Sequence, residues 1–318
     1  MRIGQNPAKF SKTVAKPERI TVAVLNYIPT LNGFYSEMLD VLKVSLDSLR
    51  EATGLPFDLL IFDNGSCDEV LQYLADEKQA GRIQFLMLSE KNLGKGGAWN
   101  IMLAGAPGEI IAYADNDVLY YPGWLAKSIE ILETFPNVGM VTSRPFRTDV
   151  DLYTGTTAWA EQTPGVQIER GNFIPWENFL EFDLSLGKPE EEIRERYETL
   201  QDVRLTYHGI QTIVGASHWQ FVARKSVLLQ FLPFDMNRPM GQVKQLDSRM
   251  NEAGLLRLMP VEPLVMNISN SLRGISTPVN QQRGAISGRL ILDLPPVKSG
   301  LLKFYGKIFR WYFDRDKG

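Results

Sequence analysis

The sequence predicts an α/β fold in which helices cover both faces of a mostly parallel β-sheet. Two observations lead to this prediction. Short apolar, β-branched runs such as residues 20–27 and 110–114 alternate with segments whose apolar residues recur at helical spacing. The connections between them are short and contain Gly, Pro, Asn and Asp. Such alternation is typical of βαβ units, whose strands run parallel.

The alternation holds up to about residue 145 and then changes. Up to that point the predicted strands are residues 20–27, 57–62, 83–88, 110–114 and 138–142, and the predicted helices are residues 34–53, 68–79, 98–106 and 122–135. Residues 147–188 show no clean period. After them we predict helices at 189–202, 224–230 and 243–253 and strands at 213–223, 255–259 and 264–268.

Composition excludes several classes of protein. A chain of 318 residues with 44% hydrophobic content can bury a full core, and a net charge of −3 argues against a general nucleic-acid binder. The single cysteine, Cys67, rules out an intrachain disulfide and a cysteine-based zinc site, and it fits a reducing cytoplasm. The polar, basic N-terminus does not predict a secretory signal, and no apolar run is long enough to predict a membrane-spanning helix.

Asp115 and Asp117 directly follow the predicted strand at residues 110–114. Two carboxylates at the end of a buried strand need a cation or a network of donors. Ligands of open α/β sheets bind at the carboxyl ends of the strands. We therefore predict that this pair holds a divalent metal against a phosphate group; the plainer alternative is an exposed turn in which Asp117 caps the next helix.

Two further polar segments follow predicted strands. Asp63 lies in the sequence DNGS, which suits a simple turn or an acceptor for a bound base or ribose. Residues 92–97 (NLGKGG) open a helix, where backbone N–H groups can approach an anion. This segment has neither the GxxxxGK[ST] order nor the GxGxxG spacing. Lys95 either pairs with a diphosphate or points to solvent.

These features, in order, resemble a known family. Asn26-Tyr27, Asp63, the glycine-rich segment and the Asp115–Asp117 pair follow four successive strands, so they converge on one sheet edge. The segments VAVLNY, DNGS, NLGKGGAWN and YADNDV resemble the nucleotide-sugar-binding half of the family 2 glycosyltransferases, which have the GT-A fold. The resemblance covers about residues 20–145.

The resemblance implies a metal-dependent transfer of a sugar, with inversion, from a nucleotide-diphospho-sugar, usually UDP-linked. It implies that Asp63 contacts the base, that Asp115 lies near ribose or metal, and that Asp117 is the main ligand of Mn²⁺ or Mg²⁺. The other implied donor-binding residues are Asn26, Tyr27, Asn92, Gly94, Lys95, Asn116 and His218. A divalent cation would neutralise the charge that develops on the leaving diphosphate.

The acceptor side departs from the family pattern. Inverting members use a carboxylate in an acidic motif before R-x-x-x-A-G, and here QVKQLDSRMNEAG keeps the end of that motif but lacks the paired acids. Asp247 is the nearest carboxylate and is the predicted base, with Asp235 in reserve; the alternative for Asp247 is a surface charge on an amphipathic helix. Asn267 stands where some relatives carry a metal-binding His, and its side-chain oxygen is the third predicted metal ligand. His218, beside Trp219, either contacts a sugar or packs into the core.

The predicted organisation follows from these assignments. Residues 1–18 form an arm, 19–145 the nucleotide-sugar-binding half, 146–296 the acceptor-binding half and 297–318 a C-terminal amphipathic helix. That helix is basic and aromatic, which suits either a membrane surface on the cytoplasmic face or docking on protein. The acceptor is a sugar, a lipid-linked molecule or a protein. Two alternatives stay open: a nucleotidyltransferase, although VAVLNYIPT lacks its G-x-G-x-R signature, and a non-catalytic sugar- or nucleotide-binding protein.

Overall fold

The computed structural model describes residues 3–238 and 243–273, and the residues up to Arg273 belong to one compact unit. The predicted helix at residues 297–318 lies outside the described residues. The strands are β1 (Ile20–Asn26), β2 (Asp58–Asp63), β3 (Phe85–Leu88), β4 (Ile110–Asp115), β5 (Val118–Tyr120), β6 (Val138–Val141), β7 (Gln167–Gly171), β8 (Asp202–Tyr207), β9 (Ile210–Val214), β10 (Gln220–Arg224), β11 (Leu256–Met259) and β12 (Val265–Asn267). The helices are α1 (Met38–Ala52), α2 (Asp68–Gln79), α3 (Gly94–Gly105), α4 (Trp124–Thr134), α5 (Thr154–Gln162), α6 (Trp176–Ser185), α7 (Glu190–Thr199), α8 (Lys225–Leu228) and α9 (Lys244–Glu252).

A ten-stranded sheet in the order β3-β2-β1-β4-β10-β6-β11-β9-β8-β7 forms the centre of the unit. The first four strands run parallel, β10 runs antiparallel to both of its neighbours, and β6 and β11 are again parallel. The sheet continues across residue 145, so both predicted halves share it. The predicted class, α/β with a mostly parallel sheet, is confirmed.

Both faces of β1 are covered, as its unbroken apolar sequence predicts. Every residue of β1 is buried. Ala23 and Leu25 pack in one cluster with Trp99 of α3 and Met250 of α9. The alternate residue Val24 points to the opposite face and is also fully buried.

The predicted single strand at residues 213–223 is wrong: it is two strands, β9 and β10, separated by a turn. Gly215 breaks the strand with a φ of +127°, a conformation that favours glycine. Ser217 then donates its backbone N–H to Thr142 Oγ1 at 2.8 Å, which fixes the turn. His218 therefore lies in a turn and not within a strand.

Several other elements differ from the predicted ones. The helix predicted to begin at residue 98 begins at Gly94, so the second half of the glycine-rich segment is its first turn. Residues 147–188, without a clean period, contain α5, β7 and α6. The predicted charged helix ends at Thr199, and Asp202 begins β8. β5 was not predicted; it pairs with β12 in a separate two-stranded sheet. Within the described part of the chain, no helix is long and apolar enough to cross a membrane.

Candidate active site

The carboxyl ends of β1, β2 and β4 bring polar side chains together. Strand register places Asn26 opposite Asp63 and Leu25 opposite Asp115. The N-terminus of α3 follows β3 at the same edge. We call the group Asn26, Asp63, Asn64, Lys95, Asp115 and Asp117 the polar edge. The convergence predicted from the sequence is therefore present.

Asn26 connects the ends of three segments. Its Nδ2 donates to Asp63 Oδ2 at 2.7 Å and to Ser66 Oγ at 3.0 Å, and its Oδ1 accepts from Asn116 Nδ2 at 2.7 Å. The other oxygen of Asp63 accepts from the backbone N–H groups of Gly65 and Ser66. Asp63 is fully buried and holds its own turn. Its contact with a nucleotide base stays a prediction.

Asn64 joins this turn to the beginning of α3. Its Oδ1 accepts from the Leu93 backbone N–H at 2.9 Å, and its Nδ2 donates to Asn92 Oδ1 at 3.0 Å. Asn92 Oδ1 also accepts from the backbone N–H of Gly94, at 2.8 Å. The segment that was predicted to approach a phosphate is thus held in place by two asparagines.

The adjacent glycines have a packing role. A Cβ atom on Gly96 would lie 2.8 Å from the backbone oxygen of Asp235, and one on Gly97 would lie 2.7 Å from Met236 Cε. Asn100 holds the loop at residues 234–236 by hydrogen bonds to the backbone N–H and the carbonyl of Phe234. The spacing of these glycines therefore reflects the close approach of this loop to α3.

Lys95 neutralises one carboxylate of the Asp115–Asp117 pair, which we call the D-x-D motif. Its Nζ lies 2.8 Å from Asp115 Oδ2 and 2.7 Å from Oδ1. The Tyr113 hydroxyl donates to Asp115 Oδ1 at 2.5 Å. Burial, followed by the charge of Asp115, raises the pKa of Tyr113 well above its usual value, so the phenol keeps its proton and acts as a donor.

Asp117 is in a different situation. In the described part of the chain, no other side chain donates a hydrogen bond to its carboxylate. Burial, followed by the charge of Asp115, raises the pKa of Asp117 to about 7, and Lys95 partly opposes the shift. A carboxylate in such a place would gain a bound cation as its partner.

β12 lies directly beside Asp117. The backbone N–H of Ile268 donates to the Asp117 carbonyl at 2.9 Å, and Asn267 pairs with Val118. The Asn267 Oδ1 accepts from the Ser269 backbone N–H at 2.8 Å. Strand pairing thus places Asn267 beside the segment that carries the other two predicted metal residues, Asp115 and Asp117.

The donor set fits Mg²⁺ or Mn²⁺ bound together with a phosphate. Among residues 3–238 and 243–273, no group of three or more His, Cys, Asp or Glu side chains could hold a metal. Two carboxylates are nonetheless enough for a hard cation that takes its remaining ligands from phosphate oxygens and water. Asp115 and Asp117 would hold such a cation.

A second charged group lies on the other side of β4, and we call it the His218 cluster: His218, Asp247 and Arg257. Asp247 Oδ2 lies 2.5 Å from His218 Nδ1, and Asp247 Oδ1 accepts from Arg257 Nη2 at 2.5 Å. Arg257 also donates to the carbonyls of Ala216 and Leu152. Burial lowers the pKa of Arg257, and the Asp247 carboxylate opposes that shift.

Of the remaining predicted residues, Tyr27 and Asp235 lie at the surface and Asp247 does not. Tyr27 is partly exposed, with its ring 6.4 Å from that of Tyr35. Asp235 is exposed, and its carboxylate accepts from the backbone and side chain of Asn237. Asp247 is buried, so the alternative of a surface charge is wrong. The roles assigned to all these residues stay predictions.

Sequence reasoning missed three residues that belong to these two groups or bond to them. Asn64 was not predicted because it lies in a common turn sequence. Its residue type was nevertheless a signal, since Asn side chains in turns often form hydrogen bonds with the backbone. Tyr113 and Arg257 gave a clearer signal, because each is a polar side chain within an otherwise apolar strand. Buried polar groups need partners, which makes such positions worth noting in any sequence.

Part of the sequence is similar to known glycosyltransferases. Residues 27–183 match the sequence model of glycosyl transferase family 2. An uncharacterized glycosyltransferase of Nostoc sp. is 27% identical over 100 residues, which are 31% of each chain. Another, from Rickettsia conorii, is 32% identical over 89 residues, 28% of this chain and 14% of that protein. The chain thus spans less than a third of the length of these relatives.

Among solved structures, a mannosyltransferase of Pyrobaculum calidifontis in complex with GDP-Man and Mn²⁺ is similar, with a TM-score of 0.49 and 18% identity. The likeness covers 82% of this chain and 59% of that one.

Proposed function

We propose that this chain, which matches glycosyl transferase family 2 over residues 27–183 and has the GT-A fold, transfers a sugar from a UDP-linked nucleoside-diphospho-sugar to an acceptor hydroxyl. The transfer inverts the configuration at the anomeric carbon. The reaction needs Mn²⁺ or Mg²⁺. The acceptor is a sugar, a lipid-linked molecule or a protein.

One observation carries the proposal: the contrast between the two carboxylates of the D-x-D motif. Asp115 is already compensated by Lys95 and Tyr113, whereas Asp117 has no such donor among residues 3–238 and 243–273 and has a pKa raised to about 7. Supplying a divalent cation and a diphosphate together would satisfy Asp117 and offer Lys95 a second anion. A bound cation neutralises charge on the departing diphosphate.

The chain's own residues then divide the work. Lys95, at the first turn of α3, would contact the diphosphate, where the helix N-terminus also favours negative charge. Asn26 and Asn64 hold the ends of β1 and β2 in register with that helix. Tyr27, Asp63, Asn92 and Asn116 would shape the nucleoside pocket.

The test is calorimetric titration of UDP and GDP in the presence of Mn²⁺, Mg²⁺ or EDTA. We expect binding that depends on the metal and is lost in Asp117→Asn. Nucleotide release from UDP-glucose, UDP-N-acetylglucosamine and GDP-mannose then tests turnover. Metal-independent binding, or binding unchanged in Asp117→Asn, would contradict the proposal.

A binding protein without catalysis is the second candidate, and one observation favours it. The predicted base Asp247 is buried, and both of its oxygens are already held. Tight metal-dependent nucleotide binding without turnover of any donor would support this candidate.

A further inference from the structure

The turn that carries His218 stands at the end of β4, next to the D-x-D motif. Gln220 of β10 pairs with Ala114, the residue before Asp115. The backbone N–H of Asp115 donates to the carbonyl of Trp219 at 3.0 Å. His218 is therefore one residue from a direct backbone contact with the polar edge. Its turn leads into β10, which lies on the side of β4 away from β1 and β2.

The three members of the His218 cluster differ in exposure. The side chain of Arg257 is 0% exposed and that of Asp247 is 5% exposed, whereas that of His218 is 20% exposed. An acceptor hydroxyl can reach only the histidine without rearrangement of the fold. A general base must lie within hydrogen-bond reach of the proton it takes, so exposure decides between the three.

The contacts also define which ring nitrogen is available. Asp247 accepts from the guanidinium of Arg257, which keeps its proton in proteins, so the carboxylate offers only lone pairs to His218. Nδ1 must then be the donor in the 2.5 Å contact with Asp247 Oδ2. In a neutral imidazole this leaves Nε2 with a lone pair that can accept a proton.

We infer that His218 is the base of the transfer reaction, and that Asp247 and Arg257 are positioning residues that hold its ring. The inference rests on the proposed function and completes its acceptor side. It replaces Asp247 as the direct proton acceptor.

The acceptor hydroxyl gives its proton to His218 Nε2 while its oxygen forms the bond to the anomeric carbon. The bond from that carbon to the diphosphate oxygen breaks, and its electron pair leaves with the nucleoside diphosphate. The imidazolium ion that forms lies against the Asp247 carboxylate and then releases its proton to water.

The first test reads the ring directly. The chain has two histidines, and His208 is exposed in the turn between β8 and β9. The ¹⁵N chemical shifts of the imidazole nitrogens show which of them carries the proton. In a ¹⁵N-histidine-labelled His208→Asn variant, all of these signals come from His218. We expect His218 to carry its proton on Nδ1 at neutral pH. In Asp247→Asn, Arg257 keeps the amide oxygen, so the amide N–H₂ faces Nδ1 and moves the proton to Nε2. A wild-type ring protonated on Nε2, or a tautomer unchanged in Asp247→Asn, would overturn the inference.

The second test is steady-state nucleotide release from the donors named above, with Mn²⁺ and water as acceptor. In His218→Asn the side-chain amide can still meet Asp247, but no group replaces Nε2. We expect kcat to fall about 10²- to 10⁴-fold, with the donor KM within about threefold. His208→Asn is the matched control and should leave both constants unchanged, because its side chain contacts neither the polar edge nor Asp247.

Glu181 is the alternative candidate for the base, and a variant of it tests that alternative. Glu181 of α6 is 40% exposed and is held by Arg144, and its neighbour Phe182 packs on Trp219. Loss of kcat in Glu181→Gln together with normal turnover in His218→Asn would overturn the inference and leave the proposed function intact. A wild-type protein that releases no nucleotide from any donor would overturn both.

Discussion

The polar edge and the His218 cluster differ in how the chain builds them. Residues of the polar edge lie at or just after the ends of four parallel strands that are consecutive in the sequence, β1 to β4. The His218 cluster takes one residue each from a turn, from α9 and from β11. The central ion pair of the polar edge is partly exposed, 15% for Lys95 and 31% for Asp115, whereas the pair between Arg257 and Asp247 is buried. Because the Lys95–Asp115 pair is accessible, either side chain can bind a ligand in place of the other. The buried Arg257–Asp247 pair instead holds its two side chains in one position.

The largest effect should come from breaking the buried pair. Arg257→Met leaves the Asp247 carboxylate buried without its cation, which should cost about 3–5 kcal/mol of unfolding free energy. Urea denaturation measures it. Lys127→Met, which removes a surface pair with Glu130 on α4, is the control and should change stability by less than about 0.5 kcal/mol. A loss below about 1 kcal/mol in Arg257→Met would mean that the pair is not as buried as described.

Asp117→Asn should cause the largest loss of activity at the polar edge. Removing the open carboxylate weakens the charge stabilisation of the leaving diphosphate, which should lower kcat/KM about 10²- to 10³-fold, or about 3–4 kcal/mol. Donor turnover with Mn²⁺ measures it. Asp47→Asn, on the exposed side of α1, should behave as wild type. Equal effects of the two substitutions would remove Asp117 from the site.

Asn64→Ala should loosen the first turn of α3. It leaves the Leu93 backbone N–H without its acceptor, which should cost about 1–3 kcal/mol. Hydrogen–deuterium exchange of residues 91–97 should rise. Asn92→Ala is the matched control: Asn92 is exposed, so water can replace its bond to Gly94, and the loss should be smaller. The reverse order would show that the two asparagines have exchanged roles.

Metal binding should depend on pH because the pKa of Asp117 is raised to about 7. Binding needs the ionised carboxylate, so Mn²⁺ affinity in the presence of UDP should weaken up to about tenfold for each pH unit below 7 and level off above it. Without metal, the stability of the protein should change with pH in the opposite direction. The folded state keeps Asp117 protonated at pH values above 3.8, where the unfolded chain has already lost that proton. The contribution of Asp117 to stability therefore falls as pH rises from about 4 to about 7. Calorimetry and urea denaturation measure the two trends, and both should vanish in Asp117→Asn.

The smallest effect on stability should come from Lys95→Met. This pair is partly exposed, so its loss should change the unfolding free energy by less than about 1 kcal/mol. UDP affinity should nevertheless fall, while Mn²⁺ affinity without nucleotide should rise because Asp115 is released. Lys95→Arg keeps the charge and should retain UDP binding. A fall in stability as large as that of Arg257→Met would erase the contrast between the two regions.

The same contrast explains what sequence could predict. Strands β1, β2 and β4 are buried on both faces. The sequence therefore shows each of them as an apolar run with polar residues at its end, and these positions could be predicted. The His218 cluster is assembled by the fold alone: nothing in the spacing of positions 218, 247 and 257 indicates contact. β7 was missed for another reason: it is mostly exposed and charged, so its composition resembles that of a loop.

The hydrogen bond from Ile268 to the Asp117 carbonyl, and that from Asp115 to the Trp219 carbonyl, bear on how such proteins can evolve. The family match ends at residue 183, yet the backbone of the D-x-D motif is held by two segments that come after it. The two halves are therefore not interchangeable modules. A new acceptor half grafted onto residues 1–145 would have to supply equivalents of both backbone contacts before the metal motif could keep its shape.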